Sequence, residues 1–400
     1  MRRNKIYDGL IYCAGPAAFS QDRWQLLDLD ARMTAAGFRT YIPFRDGLDG
    51  LYPGAPDGEG QDQVRARSIL AFNLYRLVEA CDALVYIING RVPDEGGLIA
   101  AAVAFMTGIP VVLFKQDHRS VFHGFDNAMI TGLSRTFSTV RRPEQICRAI
   151  VREIKKTGRQ KKTRSVPPAM AAAIAQGKAL ADGLYSGDTI LNSNELSMVS
   201  PDSNGMVYCS GPLFCPGEIQ AMAAMARRLE DAGWSTYLPH RDGVEAFVMK
   251  NTDSYPVNLF RPLVRFGHRL VFAVDVYHIL KCRCLVFNLN GRVPDEGGVA
   301  EIGLAFAAGK PVILYREPGL SDRNAVDPMV FGVMAPARAA TAIDQIPGQA
   351  AAIPPDQYRT EDLTATAANL PPHLKSLVRL GARATRTMKR IGFLKPKNLF

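Results

Sequence analysis

The octapeptide GRVPDEGG stands at residues 90–97 and returns unchanged at 291–298 of this 400-residue chain. Three further pairs keep the same order in both places: IYCAGP at 11–16 with VYCSGP at 207–212, AGFRTYIPFRDG at 36–47 with AGWSTYLPHRDG at 232–243, and TGIPVVLF at 107–114 with AGKPVILY at 308–315. Because chance does not produce ordered matches of this kind, the sequence indicates two copies of one unit of about 200 residues.

Within each copy, short β-rich runs alternate with helical patterns. In the second copy we expect strands over 206–210, 235–239, 284–288 and 311–315, and helices over 217–232, up to 281, and over 299–308. This alternation is typical of a parallel, doubly wound α/β sheet, so we predict two tandem flavodoxin-like domains. Ligands of such sheets bind outside the carboxyl ends of the strands, where the SGP and NGRVPDEGG loops should open on one crevice.

The duplication also gives the domain boundaries. We expect a first domain over 1–184, a linker over 185–204 where Ser, Asn, Asp and Gly cluster, a second domain over 205–345, and a basic C-terminal helical extension over 346–400. The segment 370–392 is predicted to be an amphipathic helix that docks on the other copy or meets acidic lipid or nucleic acid. Docking is favoured, because the counterpart at 166–177 is uncharged.

The composition is that of a globular protein, with 47% hydrophobic and 22% charged residues and a formal net charge of +10. Much of the excess lies at 155–164 and 375–397, which favours solvated basic segments over a nucleic-acid partner, with anion or membrane-surface contacts as the alternative. The seven cysteines form no CxxC pair, and Cys282 and Cys284 are expected to be buried apolar residues. This pattern favours a reducing cytoplasm over disulfides or a zinc site.

A membrane-spanning helix is not expected. The stretch 96–114 is uncharged and long, but Gly108 and Pro110 divide it into a helix, a turn and a strand. Its counterpart in the second copy contains Glu301 and Lys310, which a bilayer core would disfavour.

Two carboxylates of the second copy have the settings that catalysis uses. Glu301 follows a glycine pair and is placed in the first turn or so of a helix, where free N–H groups favour an ionised nucleophile or an ordinary capping acid. Asp275 lies in the apolar run LVFAVDVYHIL at 270–280. It either meets solvent on the polar side of a helix or faces a cleft with a raised pKa.

Other polar residues of the same loops have two interpretations each. In one interpretation, at least one of Asp295 and Glu296 is an exposed acid at the strand ends. In the other, both only supply loop polarity, and Asp295 is a turn-former or helix cap. Arg292 is an anion contact or, preferably, a partner for one of these acids. The hydroxyl of Tyr208 reaches the crevice, or its ring packs in the sheet.

These elements together resemble the nucleoside 2-deoxyribosyltransferase family. The family pattern is a hydrophobic-Tyr-x-x-Gly strand, a helical Asp, and an Asp and a Glu before a Gly-Lys-Pro-Val strand, and the second copy supplies each part. Asp275 and Asp295 are 20 residues apart, and Asp295 and Glu301 are six apart, which matches the family spacing. The resemblance covers most of 205–335.

The resemblance implies an N-glycosyl (pentosyl) transferase of nucleotide salvage that acts on 2′-deoxynucleosides and free nucleobases. Glu301 would attack C1′ with Tyr208 holding its carboxylate, while Asp275 and Asp295 bind the base and handle its proton. A second base would then reverse the step with retained configuration. No metal or organic cofactor is implied. The implied substrate contacts are Ser210, Gly211, Phe214, Gly298, Asn127, Met129, Asp327 and Met329.

The first copy departs from the family pattern. Ala100 matches Glu301 and Leu74 matches Asp275, although Tyr12 and Asp94 persist. Since an alanine cannot attack, we predict that this copy is catalytically dead.

The dead copy has two possible roles. Family sites are completed by an Asn-x-Met segment of a neighbouring subunit, and the first copy carries this segment at 127–129, whereas the second has Asp-Pro-Met at 327–329. We therefore expect an internal pseudo-dimer in which Asn127 and Met129 complete the Glu301 site. The alternative is that the first copy only stabilises the assembly.

Two other functions compete with base exchange. A hydrolase of 2′-deoxynucleoside 5′-monophosphates would need a phosphate cradle, but the first loop, CSGPLFCPG at 209–217, has no Arg. A nucleotide-sensing module would bind without turnover, and the intact set around Glu301 argues against it.

Overall fold

The computed structural model describes residues 9–17, 22–48, 59–90, 93–117, 126–157, 166–182, 205–244, 261–291, 295–318, 327–334, 339–353 and 370–391. Each copy forms a five-stranded sheet in which all described pairs are parallel, with orders β2-β1-β3-β4-β5 and β7-β6-β8-β9-β10. The strands are β1 Leu10–Ala14, β2 Arg39–Tyr41, β3 Ala83–Ile87, β4 Val111–Phe114, β5 Thr139–Val140, β6 Met206–Ser210, β7 Ser235–Tyr237, β8 Cys284–Asn288, β9 Val312–Tyr315 and β10 Ala339–Ala340. This order is the flavodoxin-like one, so the predicted fold class is confirmed.

The described helices repeat in the same order in the two copies. They are α1 Trp24–Ala35, α2 Pro43–Asp46, α3 Glu59–Tyr75, α4 Glu95–Met106, α5 Ala128–Leu133, α6 Ile146–Thr157, α7 Pro168–Ala181, α8 Pro216–Asp231, α9 Pro239–Asp242, α10 Arg261–Lys281, α11 Glu296–Ala307, α12 Pro328–Gly332, α13 Ile346–Ala351 and α14 Pro372–Arg390. A π-helical segment, Arg76–Ala80, follows α3. Single 3₁₀ turns precede α6 and α13.

The central strands β3 and β8 are buried along their whole length, as parallel strands covered by helices on both faces should be. One buried apolar cluster lies on the outer face of each sheet. A third cluster contains residues of both copies, so the two units share one core.

The copies pack through α4 and α11, which cross at very short range. A Cβ placed on Gly303 would lie 2.7 Å from the Cβ of Ala102. On either side of this crossing α5 packs on α10, where Gly132 faces the ring of Phe272, and α12 packs on α3. Apolar burial over these contacts is the main attraction between the copies.

The helix α14 covers α10 of its own copy, just as α7 covers α3. A Cβ on Gly381 would lie 2.1 Å from the carbonyl oxygen of Ala273, so the missing side chain lets the helix backbones meet. The expectation that the segment 370–392 docks on the other copy is therefore wrong, because its main contact is with α10 of its own copy. Its N-terminal end reaches across to the first copy, where His373 donates a hydrogen bond to the carbonyl of Phe105 at 2.8 Å.

Since α13 and α14 repeat α6 and α7, we propose that the second unit extends to residue 390. The predicted linker at 185–204 and Arg292 lie outside the described residues. Cys282 and Cys284 are buried, as predicted. None of the described helices has the length and apolarity that a bilayer crossing requires.

The start of α11 differs from the prediction. The helix begins at Glu296, three residues before the expected 299, because Asp295 caps it. Glu301 is therefore the sixth residue and lies in the second turn. The influence of free N–H groups and of the helix dipole fades within the first turn, so that part of the argument for an ionised Glu301 does not hold.

Candidate active site

Glu301 on α11 and Tyr208 on β6 form a buried hydrogen bond. The Tyr208 hydroxyl donates to Oε1 of Glu301 at 2.8 Å, although 93 residues separate the two in the chain. Burial, with the charges of Asp275 and Glu301 nearby, raises the pKa of Tyr208 well above its usual value. The phenol therefore stays protonated and acts as a donor to the carboxylate.

Asp275 on α10 is buried beside this pair, with 2% of its surface exposed. The Tyr237 hydroxyl donates to its Oδ1 at 3.0 Å, whereas Oδ2 has no hydrogen-bond partner among the described residues. Burial raises the pKa of Asp275 to about 7, against the opposing effect of the Tyr237 and Tyr208 hydroxyls. The solvent-facing alternative is wrong, and the carboxyl can hold or release a proton near neutral pH.

Tyr237 is a site residue that the sequence argument missed. Its ring lies 5.2 Å from that of Tyr208, centroid to centroid, so that one tyrosine pair holds both carboxyl groups. The first copy has the same pair, Tyr12 and Tyr41, also at 5.2 Å. The signal was present, because the tyrosine is shared by the matching stretches 36–47 and 232–243.

Asp295 caps α11. Its carboxylate accepts hydrogen bonds from the N–H of Gly298 at 2.9 Å and of Gly297 at 3.4 Å. Burial raises its pKa to about 6. Asp94 caps α4 in the same way, at 2.7 Å from the N–H of Gly97. The capping alternative is thus confirmed, and it explains why this aspartate persists in the first copy.

The first loop of the second copy brings one unpaired polar group to the site. Ser210 is 2% exposed, and its Oγ has no hydrogen-bond partner among the described residues. A Cβ on Gly298 would lie 2.8 Å from this oxygen, so only glycine fits there. Similarly, a Cβ on Gly211 would lie 2.9 Å from the Cβ of Asn288. Phe214, a predicted substrate contact, is largely exposed.

Asn127 of the first copy lies against the start of α11. Its Oδ1 accepts from the N–H of Met129 at 2.8 Å and so caps α5, while its Nδ2 would be 2.9 Å from a Cβ on Gly297. The internal pairing therefore places this amide next to Gly297, which follows Asp295 and Glu296 in the chain. Met129 is buried.

Asp327 and Met329 occupy the mirrored position and face the first copy. The carboxylate of Asp327 lies against Gly96, 3.0 Å from where a Cβ would be. The Sδ of Met329 accepts from Nδ2 of Asn73 at 3.6 Å. The structure does not bring these two predicted contacts to Glu301.

A profile of the nucleoside 2-deoxyribosyltransferase family matches residues 11–134 and again 207–329. The chain belongs to this family. Nothing among the curated proteins matches it. Among solved structures, a conserved protein from Enterococcus faecalis V583 is 20% identical, covering 38% of this chain and 99% of its own, with a TM-score of 0.27. The glycosyltransferase SnogD from Streptomyces nogalater is 13% identical, covering 94% and 99%, with a TM-score of 0.22.

In the first copy, the residue at the position of Asp275 is Asn73 and not Leu74. The Tyr41 hydroxyl donates to Oδ1 of Asn73 at 2.6 Å, as Tyr237 does to Asp275. The match to Leu74 is wrong because the π-helical segment adds one residue. The N–H of Cys81 bonds to the carbonyl five residues back, whereas that of Cys282 bonds to the carbonyl four residues back.

Three polar groups of the second copy are thus replaced in the first. Ser210, Asp275 and Glu301 correspond to Ala14, Asn73 and Ala100, all three of which are buried. Within the described residues, no group of three or more side chains is arranged to hold a metal ion.

Proposed function

We propose that the second copy is a nucleoside 2-deoxyribosyltransferase that exchanges the base of 2′-deoxynucleosides through a covalent deoxyribosyl-Glu301 intermediate. The observation that supports this most is the buried hydrogen bond from Tyr208 to Glu301, next to an Asp275 carboxyl whose pKa is near 7. One carboxyl group is held by a donor, and a second can carry a proton. Transfer with retention needs these two functions.

In the first step a Glu301 oxygen attacks C1′ and the bond between C1′ and the base nitrogen breaks. The electron pair of that bond goes to the base, which takes a proton from Asp275. In the second step the incoming base attacks C1′, the bond to Glu301 breaks, and the carboxylate is regenerated. The incoming base returns its proton to Asp275, so protons and electrons balance over the cycle.

The remaining polar groups would bind substrate. The unpaired Oγ of Ser210 and Oδ2 of Asp275 are buried polar atoms that a bound nucleoside would satisfy, with the protonated Asp275 as a donor to the base. Both oxygens of Asp295 already accept backbone N–H groups, so we assign it first to holding the start of α11 and second to the base. Asn127 would contact the 5′ end of the sugar.

The test is an incubation of the purified full chain with a 2′-deoxynucleoside and a different free base. Exchanged nucleoside is the expected product. Free deoxyribose, or deoxyribose phosphate from a 5′-monophosphate, would indicate the hydrolase instead. Binding without turnover would indicate the sensor.

Replacing Asn127 by alanine is expected to raise KM for the 2′-deoxynucleoside about 3- to 10-fold with a smaller change in kcat, which is the effect of losing one neutral hydrogen bond. Steady-state exchange kinetics measure this. Asp327→Ala is the matched control, because it removes the equivalent cap of α12 on the other side of the pair. An unchanged KM in Asn127→Ala, or an equal rise in both variants, would leave the first copy with a stabilising role alone.

A further inference from the structure

Behind Asp275 a chain of contacts leads to the C-terminal helix. The imidazole of His278 stacks on the ring of Tyr237, with centroids 3.9 Å apart and planes at 13°. Its Nε2 is hydrogen-bonded to Oγ1 of Thr385 on α14 at 3.2 Å. Both partners are buried, with 8% and 5% of their surface exposed. Tyr237 in turn donates to Asp275, so the contacts connect α14 with the proton-carrying carboxyl.

Thr385, the last residue of this series of contacts, lies outside the part of the sequence that the family profile matches, which ends at residue 329. The profile therefore does not account for Thr385. Its hydroxyl is nevertheless buried and paired, which requires that the histidine ring remain next to it.

The first copy has different groups at each of these positions. Arg76 corresponds to His278, and its guanidinium lies over the Tyr41 ring at 5.2 Å. Counting from the matched helix glycines 177 and 381, Ala181 corresponds to Thr385, and it is exposed. The buried pair of His278 and Thr385 thus belongs to the copy that has the carboxyl groups, and its counterparts change together with Asp275 and Glu301.

His278 acts as a neutral ring. Burial lowers its pKa to about 3, with Lys281 and Lys389 acting in the same direction. An uncharged imidazole lying flat on the phenol limits the rotation of Tyr237, and the bond to Thr385 limits the rotation of the imidazole. The Tyr237 hydroxyl then stays on Oδ1 of Asp275.

We propose that His278 and Thr385 are positioning residues of the transfer reaction, which hold Tyr237, and through it Asp275, so that Oδ2 faces the base. The inference rests on the proposed function. Misplacement of a proton-carrying group slows the chemical step more than it weakens substrate binding, because the group is needed most in the transition state.

The test is Thr385→Val, which keeps the shape of the side chain and removes its hydroxyl. We expect kcat for exchange to fall about 5- to 10-fold, with KM changed less than about twofold. Thr385→Ser should restore most of the rate. His278→Phe keeps an aromatic ring without the hydrogen bond, so adding Thr385→Val to it should lower the rate no further.

The matched control is Ser376→Ala on the same helix, where the exposed hydroxyl donates to the carbonyl of His373. It should leave the kinetics unchanged. An unaltered kcat in Thr385→Val, equal losses in the serine and valine variants, or additive losses in the double variant would overturn the inference while the proposed function stands. Absence of exchange in the unmodified chain would overturn both.

Discussion

Replacing Glu301 by glutamine is expected to lower kcat for base exchange by at least about 10⁴-fold, which is the order of loss when an enzyme loses its nucleophile. An amide has no anionic oxygen to attack C1′. Glutamine keeps the volume of the side chain and an oxygen that can accept from Tyr208, so the buried contact at 2.8 Å can persist and the fold with it. The loss therefore reports chemistry and not unfolding.

Two measurements check this. Exchange rates follow the loss directly, and mass spectrometry of protein quenched during turnover should show one deoxyribosyl group on the unmodified chain and none on the variant. Glu153→Gln is the control, because it changes another buried glutamate, in the first copy, that pairs with Arg152 and Lys156. Full exchange in Glu301→Gln, or a comparable loss in the control, would contradict the assigned nucleophile.

The fold could be predicted from the sequence where burial leaves a clear pattern. Strands β6 and β8 have the bounds that were expected, because a buried parallel strand is an unbroken apolar run. The start of α11 could not be placed as well. A pair of glycines is typical of a helix boundary, but here Asp295 supplies the cap and the glycines lie inside the helix.

Part of the site could be predicted too, since the family pattern named Tyr208, Asp275 and Glu301, which the structure brings together. The counterpart of Asp275 in the first copy could not be predicted. The π-helical segment adds one residue, so Asn73 and not Leu74 lies at the position of Asp275, and an alignment by identity does not show this insertion. The contact of His278 with Thr385 was also hidden. It joins positions 107 residues apart through helix packing alone.

Replacing Asp275 by asparagine is expected to change activity and stability in opposite directions. An amide cannot transfer the proton of the base, so kcat should fall by about 10²- to 10³-fold, within the usual contribution of a general acid. The geometry already tolerates an amide, because Asn73 accepts the same hydrogen bond from Tyr41 in the first copy. Exchange kinetics measure the loss.

The change in stability depends on pH. The pKa of Asp275 rises from 3.8 to about 7 on folding, so between these values the folded protein keeps a proton that the unfolded chain releases. The stabilising effect of protonation is complete below the unfolded pKa and is lost as pH rises through the folded one. Relative to the unmodified chain, Asp275→Asn should therefore gain about 4 kcal/mol of unfolding free energy as the pH rises from about 4 to about 8.

Denaturant unfolding at both pH values checks this, with Asp28→Asn as the control. Asp28 is exposed and pairs with Arg32 on the surface, so its loss should change stability little at either pH. A gain confined to high pH, together with lost exchange, would mean that the second copy keeps a destabilising carboxyl for its proton, whereas the first copy has the stable amide and no turnover. A variant less stable at high pH than the unmodified chain would instead mean that Asp275 is ionised and supported by partners, and the proton would have to come from another group.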